Sequence, residues 1–247
     1  MEHASRLLDK ADLDYYRRIW QTDIRVYRSR LERIGFCKRA NVLDSGCGFG
    51  QWSIGLAQLN ASVCAIDASL LRVQVAQEIT QSLGLSNVRF DRQDLESLPY
   101  PDASFDAAFC YGVVMLTDYR RVLSELNRVL KPEGSLYLTS NGLGWYLCCL
   151  LDQRNASPNY DPRSMAMSTL DHTLKFLASG RHIPGRQVLI PSEVMATHLQ
   201  TLGFIDIQRG PEGTLSVNSS ARGQGFYPPM YGGYENVYEI LASKGAP

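Results

Sequence analysis

The stretch Asn41-Val-Leu-Asp-Ser-Gly-Cys-Gly-Phe-Gly50 decides how this chain folds. Val42 and Leu43 belong to a short apolar run typical of a buried strand, three glycines follow at alternate positions, and residues 51–59 are composed like a helix. Because glycine has no side chain, such a loop lets a ligand approach the backbone closely, beside the N-terminus of the helix. The stretch therefore predicts a strand, a glycine loop and a helix that bind a nucleotide-like ligand.

A second acidic position supports this interpretation. Asp67 ends the next apolar run, residues 62–66, and lies 17 residues beyond Gly50. A carboxylate at the end of a second strand is suited to accept hydrogen bonds from both ribose hydroxyls. We therefore expect Asp67, with the adjacent Ala68, to bind a ribose.

The glycine spacing indicates which nucleotide binds. A dinucleotide fingerprint has its last glycine three residues after the second, but the residue three after Gly48 is Gln51. The glycines are instead Gly46, Gly48 and Gly50, with Asp44 two residues before the first. This D-x-G-x-G-x-G form resembles motif I of the class I methyltransferases, which use S-adenosylmethionine. A nicotinamide-dependent oxidoreductase on a similar fold is the alternative that the spacing disfavours.

The resemblance covers residues 40–140 closely and residues 190–243 loosely. It implies that S-adenosylmethionine binds over residues 44–50 and leaves as S-adenosylhomocysteine. It also implies that Asp94, after the third strand, accepts a hydrogen bond from the adenine amino group. The same resemblance assigns three further residues to the cofactor site, namely Ser45, Leu95 and Cys110.

The predicted fold is α/β: a Rossmann-like, doubly wound, seven-stranded and mostly parallel sheet with helices on both faces. Apolar runs predict strands near residues 41–44, 62–67, 87–90, 105–110, 135–139, 204–207 and 237–241. Apolar residues spaced by three and four predict one helical stripe over residues 13–34 and a clean amphipathic helix over 119–130. Ser69 is expected to open a helix with Leu70, Val73 and Leu83 facing inward, and Lys131–Gly134 to form a turn.

Two segments exceed what the core fold needs. We expect residues 1–38 to form an N-terminal helical flap, with its arginines on a solvated face, and residues 39–247 to form the cofactor-binding domain. Within that domain, residues 142–190 are expected to form a lid insertion. Residues 208–236 make a second long connection, and long connections inside a domain are often functional.

Composition narrows the functional class. The 247 residues contain 25 Lys and Arg against 25 Asp and Glu, so a broad nucleic-acid or anionic-membrane surface is not expected. The chain has no apolar run long enough to span a membrane and no signal-peptide pattern, which favours a cytoplasmic protein. Its six cysteines lack zinc-site spacing, and Cys110-Tyr111 stand where metal-using relatives carry an aspartate, so we predict no metal.

The catalytic residue is less well defined than the cofactor site. Tyr111 follows the fourth strand, at the edge where ligands bind in open α/β sheets, although a packing role fits equally well. His172 and His182 lie in the expected lid, His198 is interpreted as structural, and His3 is the fourth histidine. Tyr111, His172 and His182 are thus the predicted catalytic residues.

The acceptor is predicted to be a small molecule. Five aromatic residues near the C-terminus are candidates to wall a pocket for a sugar or a flat ring, or simply to pack a loop: Phe226, Tyr227, Tyr231, Tyr234 and Tyr238. We expect O-methyl transfer to a sugar or natural-product hydroxyl. N-methyl transfer to a small heterocycle or amine, and a non-catalytic S-adenosylmethionine-binding module, are the alternatives, and a homodimer is left open.

Overall fold

The computed structural model of the protein describes residues 8–217 and 225–246. Its helices are α1 Lys10–Ile19, α2 Ile24–Arg33, α3 Gln51–Leu59, α4 Leu70–Ser82, α5 Tyr119–Val129, α6 Leu143–Asp152, α7 Pro162–Ser179 and α8 Ser192–Thr201, with a 3-10 turn at Val114–Leu116. Its strands are β1 Asn41–Ser45, β2 Ser62–Asp67, β3 Val88–Arg92, β4 Phe105–Tyr111, β5 Leu130–Asn141, β6 Phe204–Pro211, β7 Met230–Tyr231, β8 Tyr234–Glu235 and β9 Val237–Lys244.

Seven of the strands form one sheet in the order β3-β2-β1-β4-β5-β9-β6. The first five strands of that order run parallel, and β9 runs antiparallel to both of its neighbours. The predicted seven-stranded, mostly parallel sheet is confirmed. The strand order reverses between β1 and β4, and ligands of doubly wound folds bind beyond the carboxyl ends of the strands at such a reversal.

Helices cover both faces of this sheet, which explains why its central strands are apolar throughout rather than alternating. On one face Val42, Phe109 and Tyr137 pack against α2 and α3. On the other face Leu43 and Leu138 pack against α5 and α8. Successive side chains of a strand point to opposite faces, so neighbouring residues of β1 serve two separate cores.

The N-terminal stripe was expected to be one helix, and this prediction is wrong. The chain forms α1 and α2, separated by a short turn. Asp23 begins α2, because its side chain accepts a hydrogen bond from the Arg25 backbone N–H at 2.8 Å. An N-cap side chain satisfies a donor at the start of a helix and so favours a new helix at that point.

Two smaller predictions need correction. Leu70 and Leu83, expected to face inward, are 50% and 56% exposed, whereas Val73 is buried as predicted. The turn expected at Lys131–Gly134 lies inside β5 rather than before it: these residues are skipped between the Leu130–Phe105 and Ser135–Ala107 pairs, and Glu133 has a φ of 63°. The remaining predicted strands and helices lie within a few residues of the observed ones.

The long connection after β5 contains α6 and α7, which pack on each other around a small core that includes Trp145, Cys149 and Ala166. The second long connection ends in the β7–β8 hairpin before β9 completes the sheet. Across residues 8–217 and 225–246, no helix combines the length and the apolar character that crossing a bilayer requires.

Candidate functional site

The glycine loop joins β1 to α3 at the strand-order reversal. Gly46, Gly48 and Gly50 have φ angles of 82°, 54° and 84°, in the left-handed region that favours glycine. A Cβ atom on Gly46 would lie 2.3 Å from a methyl carbon of Val113. One on Gly50 would lie 2.9 Å from the Cβ of Ala76. The loop therefore needs glycine for its backbone conformation at all three positions and for space at two of them.

Asp44 lies at the base of this loop and is 2% exposed. Ser53 Oγ donates a hydrogen bond to its Oδ2 at 2.6 Å. Burial raises the pKa of Asp44 to about 7, the Ser53 hydrogen bond opposes this rise, and the nearby Asp67 charge adds to it. A carboxyl group in this state favours a cationic ligand, because an opposite charge stabilises its ionised form.

Two buried polar atoms beside Asp44 have no hydrogen-bond partner within the described ranges, namely Ser45 Oγ and Gln51 Oε1. Buried polar groups are usually paired, so unpaired ones in a ligand-binding loop are candidate ligand contacts. The donors and acceptors present at the loop thus fit a polar, cationic nucleotide derivative, as the motif resemblance implies.

Asp67 ends β2 and connects the glycine loop with α4. Its Oδ2 accepts the Gly48 N–H at 3.0 Å and its Oδ1 accepts the Ser69 N–H at 2.9 Å. Asp94 lies beyond β3 and is exposed, with its Oδ1 accepting the Glu96 N–H at 2.9 Å. Both predicted acidic positions follow their strands at the same edge of the sheet, as parallel pairing requires.

The other residues assigned to the cofactor differ in accessibility. Ala68 is exposed, whereas Leu95 is 6% exposed. Cys110 is fully enclosed in the core, where burial raises the pKa of its thiol to about 12. The Cys110 side chain cannot contact a cofactor as assigned, because an enclosed side chain offers no surface to a ligand.

Helix α1 lies over the glycine loop. The rings of Tyr15 and Tyr16 contact the ring of Phe49, with centroids 5.8 and 5.3 Å apart. Arg72 of α4 forms an ion pair with Asp12 at 2.6 Å. These contacts hold α1 against the glycine loop and α4, and its role as a flap over the cofactor stays a prediction.

The same helix contacts the insertion after β5. Asp14 Oδ2 accepts hydrogen bonds from Ser157 Oγ and Asn159 Nδ2, each at 3.1 Å. The α6–α7 connection therefore contacts α1, the helix that lies over the glycine loop.

Tyr111 ends β4, the strand that pairs with β1. Its hydroxyl donates a hydrogen bond to Glu212 Oε1 at 2.8 Å. Its ring packs against Trp52, with centroids 4.8 Å apart, and against Phe226 at 6.4 Å. Burial and the Glu212 charge raise the pKa of Tyr111 well above its usual value, so the phenol stays protonated and serves as a donor.

Glu212 is a functional candidate that sequence reasoning missed. It is 2% exposed and forms a buried ion pair with Arg30. Its Oε2 accepts the Phe226 N–H at 2.8 Å. Arg30 was expected on a solvated face but is 9% exposed, with its guanidinium carbon 4.3 Å from the Phe226 ring centroid. No local pattern marks either residue, because the two lie 182 positions apart.

The predicted catalytic histidines lie elsewhere. His172 is buried in α7, its ring centroid is 5.3 Å from that of His182, and its Nε2 accepts the Ile183 N–H at 3.3 Å. Burial, His182 and Arg186 lower the pKa of His172. In the described structure, the contacts of both histidines are with α7 and the loop after it, so the structure does not bring them to Tyr111 or the glycine loop.

Of the remaining histidines, only His198 lies within the described residues. His198 packs against Tyr119, with ring centroids 5.6 Å apart, in keeping with a structural role. His3 lies outside the described residues.

The aromatic residues near the C-terminus do not form one wall. Tyr227 contacts Trp145, with ring centroids 5.1 Å apart, and Phe226 contacts Tyr111. Tyr231 and Tyr234 lie in the β7–β8 hairpin. Tyr238 is fully buried and donates a hydrogen bond to the Ile190 carbonyl at 2.9 Å, so its role is structural.

The comparisons with known proteins agree with this geometry. Residues 42–134 match a family model described as a methyltransferase domain. An uncharacterized methyltransferase, YcgJ of Bacillus subtilis, is 37% identical over 101 residues, which is 40% of each chain. The demethylmenaquinone methyltransferase of Geobacillus kaustophilus is 32% identical over 119 residues, 47% of this chain and 48% of that protein. The matched region therefore spans less than half the length of each of these curated relatives.

Solved structures are similar in fold over most of the chain. The [4+2]-cyclase SpnF superposes with a TM-score of 0.58 at 22% identity, covering 91% of this chain and 82% of that chain. At this identity the likeness concerns the fold alone, and the name of this neighbour shows that the fold also serves other reactions.

Among residues 8–217 and 225–246 there is no group of three or more His, Cys, Asp or Glu side chains suited to hold a metal ion.

Proposed function

Because this chain carries a domain of the class I S-adenosylmethionine-dependent methyltransferase family, we propose that it transfers a methyl group to a hydroxyl of a small molecule, a sugar or an aromatic natural product. The observation that supports the proposal is the hydrogen bond from the Tyr111 hydroxyl, at the end of β4, to the Glu212 carboxylate.

The cofactor site uses three acidic residues with separate roles. The Asp44 carboxylate, with Ser45 and Gln51 beside it, holds the cationic amino-acid part. Asp67 accepts hydrogen bonds from the ribose hydroxyls, and Asp94, next to Leu95, accepts one from the adenine amino group. When bound, S-adenosylmethionine supplies an electrophilic methyl group on a positively charged sulfur.

Tyr111 and Glu212 handle the acceptor proton. The phenol donates its own proton to Glu212, so the lone pairs of its oxygen remain able to accept a hydrogen bond from an acceptor hydroxyl. As the acceptor oxygen becomes bonded to carbon, its proton passes to Tyr111 Oη and the phenol proton passes to Glu212 Oε1. The pair thereby orients the nucleophile and removes its proton, the two tasks that O-methylation asks of a protein.

Aromatic faces close to this pair suit a ring-containing acceptor. The partly exposed Tyr227 ring packs edge-on against the buried Trp145, and the guanidinium carbon of Arg154 lies 5.4 Å from the Tyr227 ring centroid. Aromatic walls hold both flat rings and the apolar faces of sugars, and an arginine can pair with an acidic substituent. Water exclusion by α1 supports the same chemistry, because ordered side chains replace solvent around the reacting atoms.

Two measurements test the proposal. Calorimetric titration should show binding of S-adenosylmethionine and S-adenosylhomocysteine without binding of NAD. Transfer of a radiolabelled methyl group should then be screened with catechols, glycosides and amines as acceptors. Binding of NAD alone, or of neither adenosyl compound, would overturn the cofactor assignment.

The Tyr111→Phe variant separates the acceptor classes. With a hydroxyl acceptor it should lower kcat by roughly 100-fold, the usual contribution of proton removal by a positioned side chain. An amine with a free lone pair needs no such removal, so unchanged kcat with an amine acceptor would favour the N-methyl alternative. Tyr119→Phe, on α5, is the matched control and should leave transfer unchanged.

A further inference from the structure

Helix α7 carries a row of exposed apolar side chains. Met167, Leu174 and Leu177 are 61%, 70% and 73% exposed, and the half-buried Leu170 lies between them. Their spacings of three, four and three residues place all four on one helix face, here called the α7 stripe. The opposite face of α7 packs into its own domain through a set that includes Ala166, His172 and Phe176. The stripe is therefore an apolar surface that the described chain does not cover.

We infer that the α7 stripe is the contact through which two copies of this chain associate, with their α7 helices antiparallel across a two-fold axis. The spacing three, four, three reads the same in both directions along the helix. A two-fold axis at the middle of the stripe therefore sets Met167 opposite Leu177 of the second copy and Leu170 opposite Leu174 of the second copy. Every apolar side chain then meets another, as the self-complementary surface of a two-fold dimer requires.

Charges beside the stripe fit the same arrangement. Asp171 and Lys175 form an exposed ion pair at 2.7 Å along one edge of the stripe. In the antiparallel pair, Lys175 of one copy lies next to Asp171 of the other, so opposite charges meet across the contact. Arg186 also lies near this edge, because its Nη1 donates a hydrogen bond to Ser168 Oγ of α7. The edge therefore carries both signs of charge, and the acidic Asp171 favours a second copy over an anionic lipid surface, which would repel it.

The apolar surface extends beyond α7 at one end. Leu151, at the end of α6, is 64% exposed, and Arg163 Nε donates a hydrogen bond to the neighbouring Leu150 carbonyl at 2.8 Å. One helix pair with such an extension buries less than the roughly 800 Å² per partner of a standard interface. We therefore expect a reversible dimer with a dissociation constant on the order of micromolar.

Sedimentation velocity of the full chain from roughly 1 to 100 µM tests association around that constant. The wild-type mass should rise toward that of a dimer, and Leu174→Glu should stay monomeric while keeping its circular dichroism spectrum and Tm. Val194→Glu, which places the same charge at an exposed site on α8, should dimerise like the wild type. A wild-type protein that stays monomeric at the highest concentration overturns the inference.

Cysteine cross-linking tests the register. The double variant Met167→Cys with Leu177→Cys should form disulfide-linked dimers, because the two positions face each other across the axis. Within one helix, positions 167 and 177 lie about 15 Å apart, too far for a disulfide. In the single variant Met167→Cys, the two copies of Cys at position 167 lie at a similar distance from each other across the axis, so they should not cross-link either. Equal cross-linking of the single variant contradicts the register. A monomer that instead co-sediments with phosphatidylglycerol vesicles through Leu174 would also overturn the inference, in favour of a lipid surface.

Discussion

Replacing Glu212 by leucine should destabilise the fold strongly, because Glu212 balances a buried cation. The Arg30 and Glu212 side chains are 10% and 1% exposed, and Glu212 also accepts hydrogen bonds from Tyr111 and from the Phe226 N–H. Removing one partner of a buried ion pair costs about 3–5 kcal/mol, since the other charge is left uncompensated. For a chain of this size, that loss lowers Tm by roughly 6–20 °C.

A double-mutant cycle measures this coupling directly. Urea denaturation followed by circular dichroism gives the free energy of unfolding for Glu212→Leu, Arg30→Leu and the double variant. The double variant should be at least about 2 kcal/mol more stable than the sum of the single losses predicts, because it leaves no buried charge.

Glu32→Leu is the matched control for an exposed pair. Glu32 lies 3.7 Å from Arg28, and the two side chains are about half exposed. An exposed pair of this kind contributes less than about 1 kcal/mol. If Glu212→Leu costs no more than Glu32→Leu, or if the two buried substitutions are additive, the reasoning about the Arg30–Glu212 pair is refuted.

The cofactor site gives three further binding predictions, measured by calorimetric titration with S-adenosylhomocysteine, and one stability prediction, measured by urea denaturation at each pH. Asp67→Ala should weaken binding by roughly 30- to 150-fold, about 2–3 kcal/mol, because both ribose hydroxyls lose a charged acceptor; unchanged affinity removes the ribose assignment. Asp44 must be ionised to hold the ammonium group of the cofactor, and burial raises its pKa to about 7. The affinity for S-adenosylhomocysteine should therefore rise about tenfold from pH 6 to pH 8. Asp44→Asn should bind weakly and show no such pH dependence. The stability of the unliganded protein should change in the opposite direction. The pKa of Asp44 is higher in the folded protein than its usual 3.8, so the folded state binds the proton more tightly. The free energy of unfolding should therefore fall as pH rises toward 7. Gly46→Ala should abolish binding, because its Cβ would lie 2.3 Å from Val113, whereas Gly48→Ala, whose Cβ meets nothing within 4 Å, should only weaken it through backbone strain of about 1–2 kcal/mol; equal losses at both positions contradict the steric argument.

Most of the sheet was predictable from local sequence. The runs that became β1, β2 and β4 are short, apolar and bounded by glycine or acidic residues, and this pattern is typical of strands buried on both faces. The glycine loop was predictable for a similar reason, because alternate glycines between a strand and a helix leave few other conformations.

The errors arose where tertiary contacts decide the outcome. The apolar stripe over residues 13–34 continues through the turn, because both α1 and α2 pack on the same domain. Within this stripe, only the N-cap at Asp23 separates the two helices. Leu70 and Leu83 lie at the two ends of α4, where the helix extends past the surface it covers, so periodicity alone assigned them to the core.

The candidate site shows the same division. Asp44 and Asp67 lie at the carboxyl ends of β1 and β2, and Asp94 follows β3, so their positions were set once the strands were recognised. His172 and His182 were chosen as residue types suited to acid–base chemistry, and the described structure keeps them beside each other and away from the glycine loop.

The sequence by itself determined the strand–loop–helix unit, the acidic residues around it and the order of the remaining elements, because these follow from propensities and periodicities within a few neighbouring residues. Only the tertiary structure decided that Tyr111, Glu212 and Arg30 meet, and that α1 lies over the glycine loop. Those contacts join β4, the connection after β6 and α2, and they exist because the strand order brings the ends of these elements to one edge of the sheet. Arg30 and Glu212 lie 182 positions apart, so their pairing leaves no periodic pattern in the sequence. The residues around one partner carry no information about the position of the other.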